Sequence, residues 1–181
     1  MMIPYSAREP MNHTALRYLA AHAPIRAYLE IGVQEGHSLR AVIEAGRLDA
    51  VTLVDTWGSA YGGTGKGTHE HIGHLLNALK FTGTRTFLDG DSKVLVPTIR
   101  CRFDLIHVDG DHSEDGARSD LWQCEPLLAP GGFLVLDDLA HPAHPYMGTV
   151  ADAFTAAFPE IHEIERRADF PFGVVIWQRP A

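Results

Sequence analysis

Short apolar runs that favour β-strands alternate along this chain with amphipathic stretches that favour helices. This alternation predicts an α/β fold built on a doubly wound, mainly parallel sheet of seven strands. The strands are predicted at 27–31, 51–54, 85–88, 103–108, 133–136, 161–165 and 173–178, and the helices at 10–23, 38–45, 68–80, 115–128 and 150–158, with a short helix after Asp91. Because the segment 166–171 is too short for a helical crossover, the last two strands are expected to pair antiparallel at the sheet edge.

Composition limits the kinds of partner that the chain can have. The 181 residues suit one domain, 1–181, and the net charge of −8 without a basic stripe argues against nucleic-acid and anionic-membrane partners. No apolar run reaches the length of a membrane span and the first residues lack a signal peptide, so a cytoplasmic location is expected. Two cysteines without CxxC spacing fit reduced thiols. A homo-oligomer remains open.

Two of the predicted strands end abruptly in acidic residues. The fourth strand runs into V-D-G-D-H, residues 108–112, and the fifth runs into L-D-D, residues 136–138. In open α/β sheets, ligands collect just beyond the carboxyl ends of the strands. Neighbouring strand ends that both finish in aspartate would place several oxygen ligands around one point, which is typical of a metal site.

The first strand-to-helix turn, E-I-G-V-Q-E-G-H-S at residues 30–38, indicates a second ligand. Its glycines permit close approach of the backbone, but the G-x-x-x-G spacing disfavours a dinucleotide, which needs G-x-G-x-x-G. Asp55 ends the second strand, where it can accept hydrogen bonds from both hydroxyls of a ribose. Gly90-Asp91-Ser92 ends the third strand, within reach of an adenine edge. Together these predict an adenosine-bearing ligand without a pyrophosphate.

The order of these motifs, with the reversed edge hairpin, resembles the class I S-adenosylmethionine-dependent methyltransferases from about residue 27 to residue 178. The resemblance implies the Rossmann-like sheet of that family and S-adenosylmethionine as cofactor. It implies cofactor-binding roles for the following residues: Gly32 and Gly36 around the methionine part, Ser38 near its carboxylate, Asp55 at the ribose, Asp91 and Ser92 beside the adenine, and Glu30 as a support of the turn. Trp57, next to the ribose acid, is expected to wall the pocket.

Simpler interpretations stay open for several of these residues. Glu30 could cap backbone amides, and Asp91-Ser92 could be only a helix cap. Trp57 could belong to the core. The glycine-rich loop 58–67 could be a lid over the cofactor or an ordinary loop.

V-D-G-D-H-S and P-G-G-F-L-V-L-D-D resemble a narrower group, the metal-dependent O-methyltransferases related to the macrocin and mycinamicin sugar enzymes. That resemblance implies Asp109, Asp137 and Asp138 as ligands of Mg²⁺, and His112 as the catalytic base beside Asp109. Mg²⁺ prefers oxygen ligands, and a substrate with two adjacent oxygens could chelate it. The expected substrate is a small hydroxylated molecule: a sugar, a glycoside or a catechol-like compound.

The acidic residues also have plainer explanations. Many metal-free methyltransferases carry an acid at the position of Asp109, residues 111–115 could be a solvated loop and helix cap with His112 exposed, and Asp138 could lie at the surface. Two further functions therefore remain: a metal-independent N- or O-methyltransferase, and a non-catalytic S-adenosylmethionine-binding module. His141 and His144, just past the fifth strand, could line the mouth of a substrate site.

Overall fold

A seven-stranded sheet forms the centre of the structure, a computed structural model that describes residues 3–5, 9–57, 67–168 and 172–181. The strand order is β3-β2-β1-β4-β5-β7-β6. The strands are β1 Ala27–Ile31, β2 Ala50–Asp55, β3 Thr84–Asp89, β4 Phe103–Val108, β5 Leu128–Asp137, β6 His162–Arg167 and β7 Val174–Gln178. The helices of the described residues are α1 Met11–His22, α2 His37–Ala45, α3 His69–Ala78, α4 Ser92–Leu95, α5 Glu114–Cys124 and α6 Met147–Ala157. This arrangement confirms the predicted fold class.

The strand order reverses direction at β1. From β1 the chain adds β2 and then β3 on one side, and it returns to place β4 on the other side of β1. The two connecting segments leave the sheet in opposite directions there, which opens a crevice at the carboxyl ends of β1 and β4. The glycine turn and the first acidic motif therefore meet at the same point of the sheet.

The antiparallel pairing at the sheet edge is also confirmed. β7 runs antiparallel to β5 and to β6, and it lies between them. The predicted fifth strand, 133–136, was too short, because β5 already begins at Leu128 and ends at Asp137. The register of β4 with β5 shifts between Phe103 and Leu105, and this irregularity accommodates the Pro-Gly-Gly sequence.

The two faces of the sheet differ in polarity near the crevice. Successive side chains of a strand point to opposite faces. Ile106 and Val108 belong to the apolar cluster that contains Leu121 of α5 and Phe154 of α6. Leu105 belongs to the other cluster, shared with α1 and α2, so His107 lies on the α1 side of the sheet. By the same alternation, Glu30 of β1 and Asp137 of β5 also lie on that side.

No helix among the described residues combines the length and the hydropathy required to cross a membrane.

The crevice depends on a close backbone contact at Gly32. Its φ of +82° is a conformation that side chains disfavour, and a Cβ there would overlap the carbonyl oxygen of Asp109. We expect Gly32→Ala to lower the free energy of unfolding by about 2–4 kcal/mol. Gly73→Ala is the matched control, because a Cβ at this helical position meets nothing within 4 Å; it should raise stability by about 0.5–1 kcal/mol. Urea titration followed by circular dichroism measures both, and a Gly32→Ala value within about 0.5 kcal/mol of wild type would contradict the packing argument.

Asp120 of α5 is fully buried beneath the loop that follows β4, and no described group forms a hydrogen bond of ordinary geometry with its carboxylate. Burial raises its pKa to about 6, reinforced by Asp111 and Asp91 and opposed by Ser92 and Lys93. The unfolded chain releases this proton near pH 4 and the folded chain near pH 6, so this group lowers stability as pH rises through that window.

We expect Asp120→Asn to lack that decline and to be more stable than wild type by about 2–3 kcal/mol at pH 7. The two proteins should converge near pH 4. Thermal or urea unfolding between pH 4 and pH 8 measures the difference, and Asp115→Asn, on the exposed part of the same helix, controls for the amide substitution. A difference that does not change with pH would show that burial of the charge is not the cause.

Candidate active site

Asp55 braces the two turns that face the crevice. Its Oδ2 accepts hydrogen bonds from the backbone N–H groups of Val33, at 2.7 Å, and Gln34, at 2.9 Å. Its Oδ1 accepts from the N–H of Trp57 at 2.6 Å. A carboxylate offers about four acceptor positions, so three are used and about one remains. The predicted ribose contact of Asp55 stays a prediction, and the structure adds a second role in holding the turns.

The glycines of the first turn also have a packing function. Gly36 precedes α2 with a φ of +75°, and a Cβ there would lie 2.7 Å from Leu75 Cδ2 and 2.8 Å from Ile72 Cδ1 of α3. Gly32 is fixed by the backbone of Asp109. The backbone contact at Gly32 and the positive φ at both positions favour glycine whatever ligand is bound, and the predicted contacts of Gly32 and Gly36 with a cofactor remain predictions.

A buried polar group lies directly beneath this turn. Glu30 and His107 are both 0% exposed, and they are register partners on the adjacent strands β1 and β4. The Ser38 hydroxyl donates to Glu30 Oε1, and His107 Nδ1 lies 3.4 Å from the same oxygen. Burial raises the pKa of Glu30, although His107 and Ser38 oppose this. Glu30 thus accepts hydrogen bonds beneath the turn, while the Ser38 side chain is directed inward at Glu30.

Carboxylates from two adjacent strands converge next to His107. His107, Asp109 and Asp137 each place one potential ligand atom within 4.8 Å of the others. Asn12 of α1 donates to Asp137 Oδ2, so α1 covers this cluster from one side. Burial raises the pKa of Asp137 well above its usual range, and the nearby charge of Asp109 adds to the effect. We call His107, Asp109 and Asp137 the inner triad.

His112 lies between two carboxylates at the entrance to the crevice. Its Nε2 is 3.1 Å from Asp109 Oδ1 and 3.4 Å from Asp138 Oδ2. Burial alone would lower the pKa of His112, but the hydrogen bond and charge of Asp109, with Asp138 and Asp137, raise it. The predicted catalytic pair His112 and Asp109 is therefore in direct contact.

A second metal-capable group adjoins the inner triad. His112, Asp138 and His144 place their ligand atoms within 4.8 Å of one another; we call them the outer triad. The predicted ligands Asp109 and Asp137 are thus brought together, whereas Asp138, which has a φ of +57°, belongs to the neighbouring group. All three lie at one end of β4 and β5, and their metal-binding role stays a prediction.

Aromatic rings continue outward from His112. The ring centroids of His112 and His144 are 5.0 Å apart, those of His144 and His141 are 4.8 Å apart, and His141 stacks on Phe172 at 4.6 Å. The Phe172 side chain is 42% exposed. These rings form a row from the cluster to the surface, at the position where the sequence suggested a substrate mouth.

Asp91 acts as a helix cap in the structure. It accepts a hydrogen bond from the backbone N–H of Lys93 at 2.8 Å and precedes the short helix α4, which begins at Ser92. This is the simpler of the two interpretations of Asp91-Ser92, and contact of either residue with adenine remains untested.

Trp57 is held at the end of β2 by polar and aromatic contacts. Its indole N–H donates to Asp89 Oδ1 at 2.8 Å, and its ring lies 6.2 Å from that of Phe87. Its role as a pocket wall stays a prediction. The loop 58–67 was named as a possible lid, and its residues 58–66 lie outside the described residues.

The sequence interpretation missed two residues of the cluster, His107 and Asn12. His107 was missed because its neighbours in β4, Leu105, Ile106 and Val108, are apolar. Its spacing of two residues from Asp109 nevertheless places both side chains on the same face of the strand. That spacing was the available signal. No signal in the sequence indicated Asn12, because its contact with Asp137 joins residues that are 125 positions apart.

Comparison with known proteins agrees with this geometry. Residues 29–139, more than half of the chain, match the family described as Methyltransferase domain. No curated protein matches the chain significantly.

Solved methyltransferase structures share the fold at low sequence identity. The O-methyltransferase TomG from Streptomyces achromogenes, solved with SAM, has a TM-score of 0.72 at 18% identity, covering 99% of this chain and 82% of its own. The N-methyltransferase NodS from Bradyrhizobium japonicum WM9, solved with S-adenosyl-L-homocysteine, has a TM-score of 0.68 at 20% identity, covering 99% and 91%. The SAH-bound Podospora anserina methyltransferase PaMTH1 has a TM-score of 0.66 at 19% identity, covering 98% and 80%. With the family match over strands β1 to β5, the chain belongs to the Methyltransferase domain family and is a methyltransferase.

Proposed function

We propose that this protein transfers the methyl group of S-adenosylmethionine to a hydroxyl group of a small polyhydroxylated acceptor, with Mg²⁺ bound at the acidic cluster. One observation carries the proposal. His112 contacts Asp109 and Asp138 at the carboxyl ends of β4 and β5, directly beside the glycine turn of β1. A proton acceptor, oxygen ligands for a cation and a cofactor turn therefore share one crevice.

The glycine turn suits S-adenosylmethionine, which supplies an electrophilic methyl group on a sulfonium. No side chain of the described residues caps the N-terminus of the nine-residue helix α2, so its first N–H groups can donate to a carboxylate such as that of the methionine part. Asp55 holds the turn in place and keeps about one acceptor position for a ribose hydroxyl. TomG and NodS, which share this fold, were solved with S-adenosylmethionine and its demethylated product.

The acidic cluster suits a divalent cation, because Asp109 and Asp137 bring hard oxygen donors together in a largely buried place. The ion would match their charge and hold acceptor oxygens in position. Asp109 and Asp137 would bind it, with Asp138 adjacent. Asn12 orients the carboxylate of Asp137 through its hydrogen bond.

His112 would take the proton of the acceptor hydroxyl at Nε2. The nearby carboxylates raise its pKa, and a cation that matched their negative charge would oppose this effect and favour the unprotonated base. The acceptor would lie against the row formed by His144, His141 and Phe172, whose rings offer flat, partly apolar surfaces next to His112 Nε2.

A metal-independent methyltransferase is the second candidate, and one observation favours it. His112 alone already pairs with both Asp109 and Asp138, as a base held by carboxylates would without any ion. The two candidates differ in their response to chelation.

Chelation and substitution of the acids test the metal. We expect S-adenosylhomocysteine to bind in calorimetric titration, and EDTA to lower methyl transfer to catechol or sugar diols by ~100-fold or more, with recovery on addition of Mg²⁺. Asp109→Asn should lower the rate similarly. Asp111→Asn is the matched control in the same loop, because Asp111 faces Lys93 and the Ser113 N–H instead of the cluster. The Asp111→Asn protein should retain the wild-type rate of methyl transfer, and EDTA should lower that rate as it does for the wild type. If EDTA leaves the rate on every acceptor unchanged, the metal-independent candidate replaces this one.

Substitution of His112 tests the proton acceptor. His112→Gln should lower kcat by ~10²–10⁴-fold while S-adenosylhomocysteine affinity stays within about twofold of wild type, since the residue acts on the acceptor. His74→Gln, on the exposed side of α3, is the control for loss of an imidazole. A kcat for His112→Gln within threefold of wild type would remove His112 from the mechanism.

A further inference from the structure

His107 brings a buried imidazole to the acidic cluster, and one of its ring nitrogens has no hydrogen-bond partner among the described residues. His107 is 0% exposed, and its Nε2 has no hydrogen-bond partner among the described residues. A buried polar atom without a partner is costly, so native structures retain few of them without a reason. The histidine stands beside Leu105, Ile106 and Val108, which are apolar and buried.

We propose that His107 Nε2 is a ligand of the bound cation, so that the inner triad His107, Asp109 and Asp137 forms the metal site and prefers a first-row transition ion such as Mn²⁺, Fe²⁺ or Co²⁺ to Mg²⁺. This inference rests on the proposed function, because it assigns the ligands and the class of ion at the same site.

The geometry of the three residues is close to that of a ligand set. Their potential ligand atoms lie within 4.8 Å of one another. Metal–ligand distances of about 2.1 Å place two ligands of one ion up to ~4.2 Å apart. His107 and Asp109 come from the same face of β4, and Asp137 ends the neighbouring strand β5, so three rigid backbone positions hold the donors.

Glu30 provides the support that a ligating histidine normally has. A histidine that binds a metal through one ring nitrogen commonly donates its other N–H to a carboxylate, which fixes the ring and its tautomer. His107 Nδ1 lies 3.4 Å from Glu30 Oε1 on the adjacent strand, and the Ser38 hydroxyl holds the same oxygen. A proton on Nδ1 leaves the lone pair of Nε2 free to bind an ion.

The outer triad offers the competing assignment. His112 and His144 are also imidazoles near a carboxylate, Asp138. However, His112 already has partners at both Asp109 and Asp138, and His144 contacts the Tyr146 hydroxyl at 3.2 Å. His107 Nε2 is the ring nitrogen in the inner triad that lacks one.

The ligand set determines the class of ion. Three oxygen donors would suit Mg²⁺, whereas replacement of one oxygen by imidazole nitrogen favours transition ions, with affinity rising from Mn²⁺ to Co²⁺. We therefore expect Mn²⁺ and Co²⁺ to bind at least ~10-fold more tightly than Mg²⁺.

Pulsed electron paramagnetic resonance of Mn²⁺ bound to the whole protein tests the assignment without any activity assay. A directly coordinated imidazole gives ¹⁴N modulation, which an all-oxygen site lacks. We expect this signal in the wild type and, undiminished, in His112→Asn and His144→Asn, whose side chains are partly exposed. The His107→Asn protein should lose the signal and bind Mn²⁺ at least ~10-fold more weakly. Circular dichroism and S-adenosylhomocysteine binding check its fold.

The assignment is overturned if the wild type shows no ¹⁴N modulation or if the signal disappears in His112→Asn or His144→Asn. Because those two variants leave the core intact, this holds even if His107→Asn does not fold. Mn²⁺ binding without ¹⁴N modulation rejects the His107 ligand and leaves the metal-dependent function standing. Absence of any Mn²⁺ or Mg²⁺ binding, with transfer insensitive to EDTA, rejects both.

Discussion

The contact between Gly32 and the backbone of Asp109 is the constraint on which the rest of the site depends. The N–H of Asp109 donates to the carbonyl of Ile31 at 2.9 Å, and Gly32 lies directly against the Asp109 carbonyl. This joins the glycine turn to the acidic loop at the point where the strand order reverses. The turn can therefore not move away from Asp109, and any ligand in the turn is held at a fixed distance from the inner triad.

Several carboxylates lie among imidazoles in the interior beneath this contact. Glu30, Asp109, Asp137 and Asp138 lie near the side chains of His107, His112 and His144. Hydrogen bonds from Ser38 and Asn12 satisfy some of the carboxylate oxygens. Burial raises the pKa values of Asp137 and Asp138 above their usual range, and the neighbouring carboxylates add to the effect. Such an arrangement is expensive for a purely structural interior, and its presence at a sheet switch point indicates a functional cluster.

The sequence was sufficient to predict the fold, because hydrophobic periodicity determines which runs become strands and the short link 166–171 excludes a crossover. It also located the crevice and brought Asp109, His112, Asp137 and Asp138 to one end of the sheet. It did not predict which acids lie next to each other, since that depends on side-chain direction at strand ends, nor the contact of Asn12 with Asp137 from a distant helix. The first turn was interpreted through ligands alone, whereas the backbone contact of Gly32 with Asp109 and the positive φ of Gly32 and Gly36 also favour glycine there. A glycine motif such as this one therefore reflects both the packing of the turn and the binding of a ligand.

The position of His107 concerns both the packing of the core and the chemistry of the site. A neutral histidine could be a simple filler between β1 and β4, but then leucine would serve without the cost of an unpaired nitrogen. The pair with Glu30 has a cost of its own, because a carboxyl group is buried at 0% exposure to hold the ring. Both costs have a common explanation if the ring must present Nε2 to the carboxylates of Asp109 and Asp137. Glu30 would then orient the His107 ring toward the cluster, as Asp55 orients the backbone of the glycine turn. In both places a carboxylate holds, through its hydrogen bonds, a group that would meet the ligand.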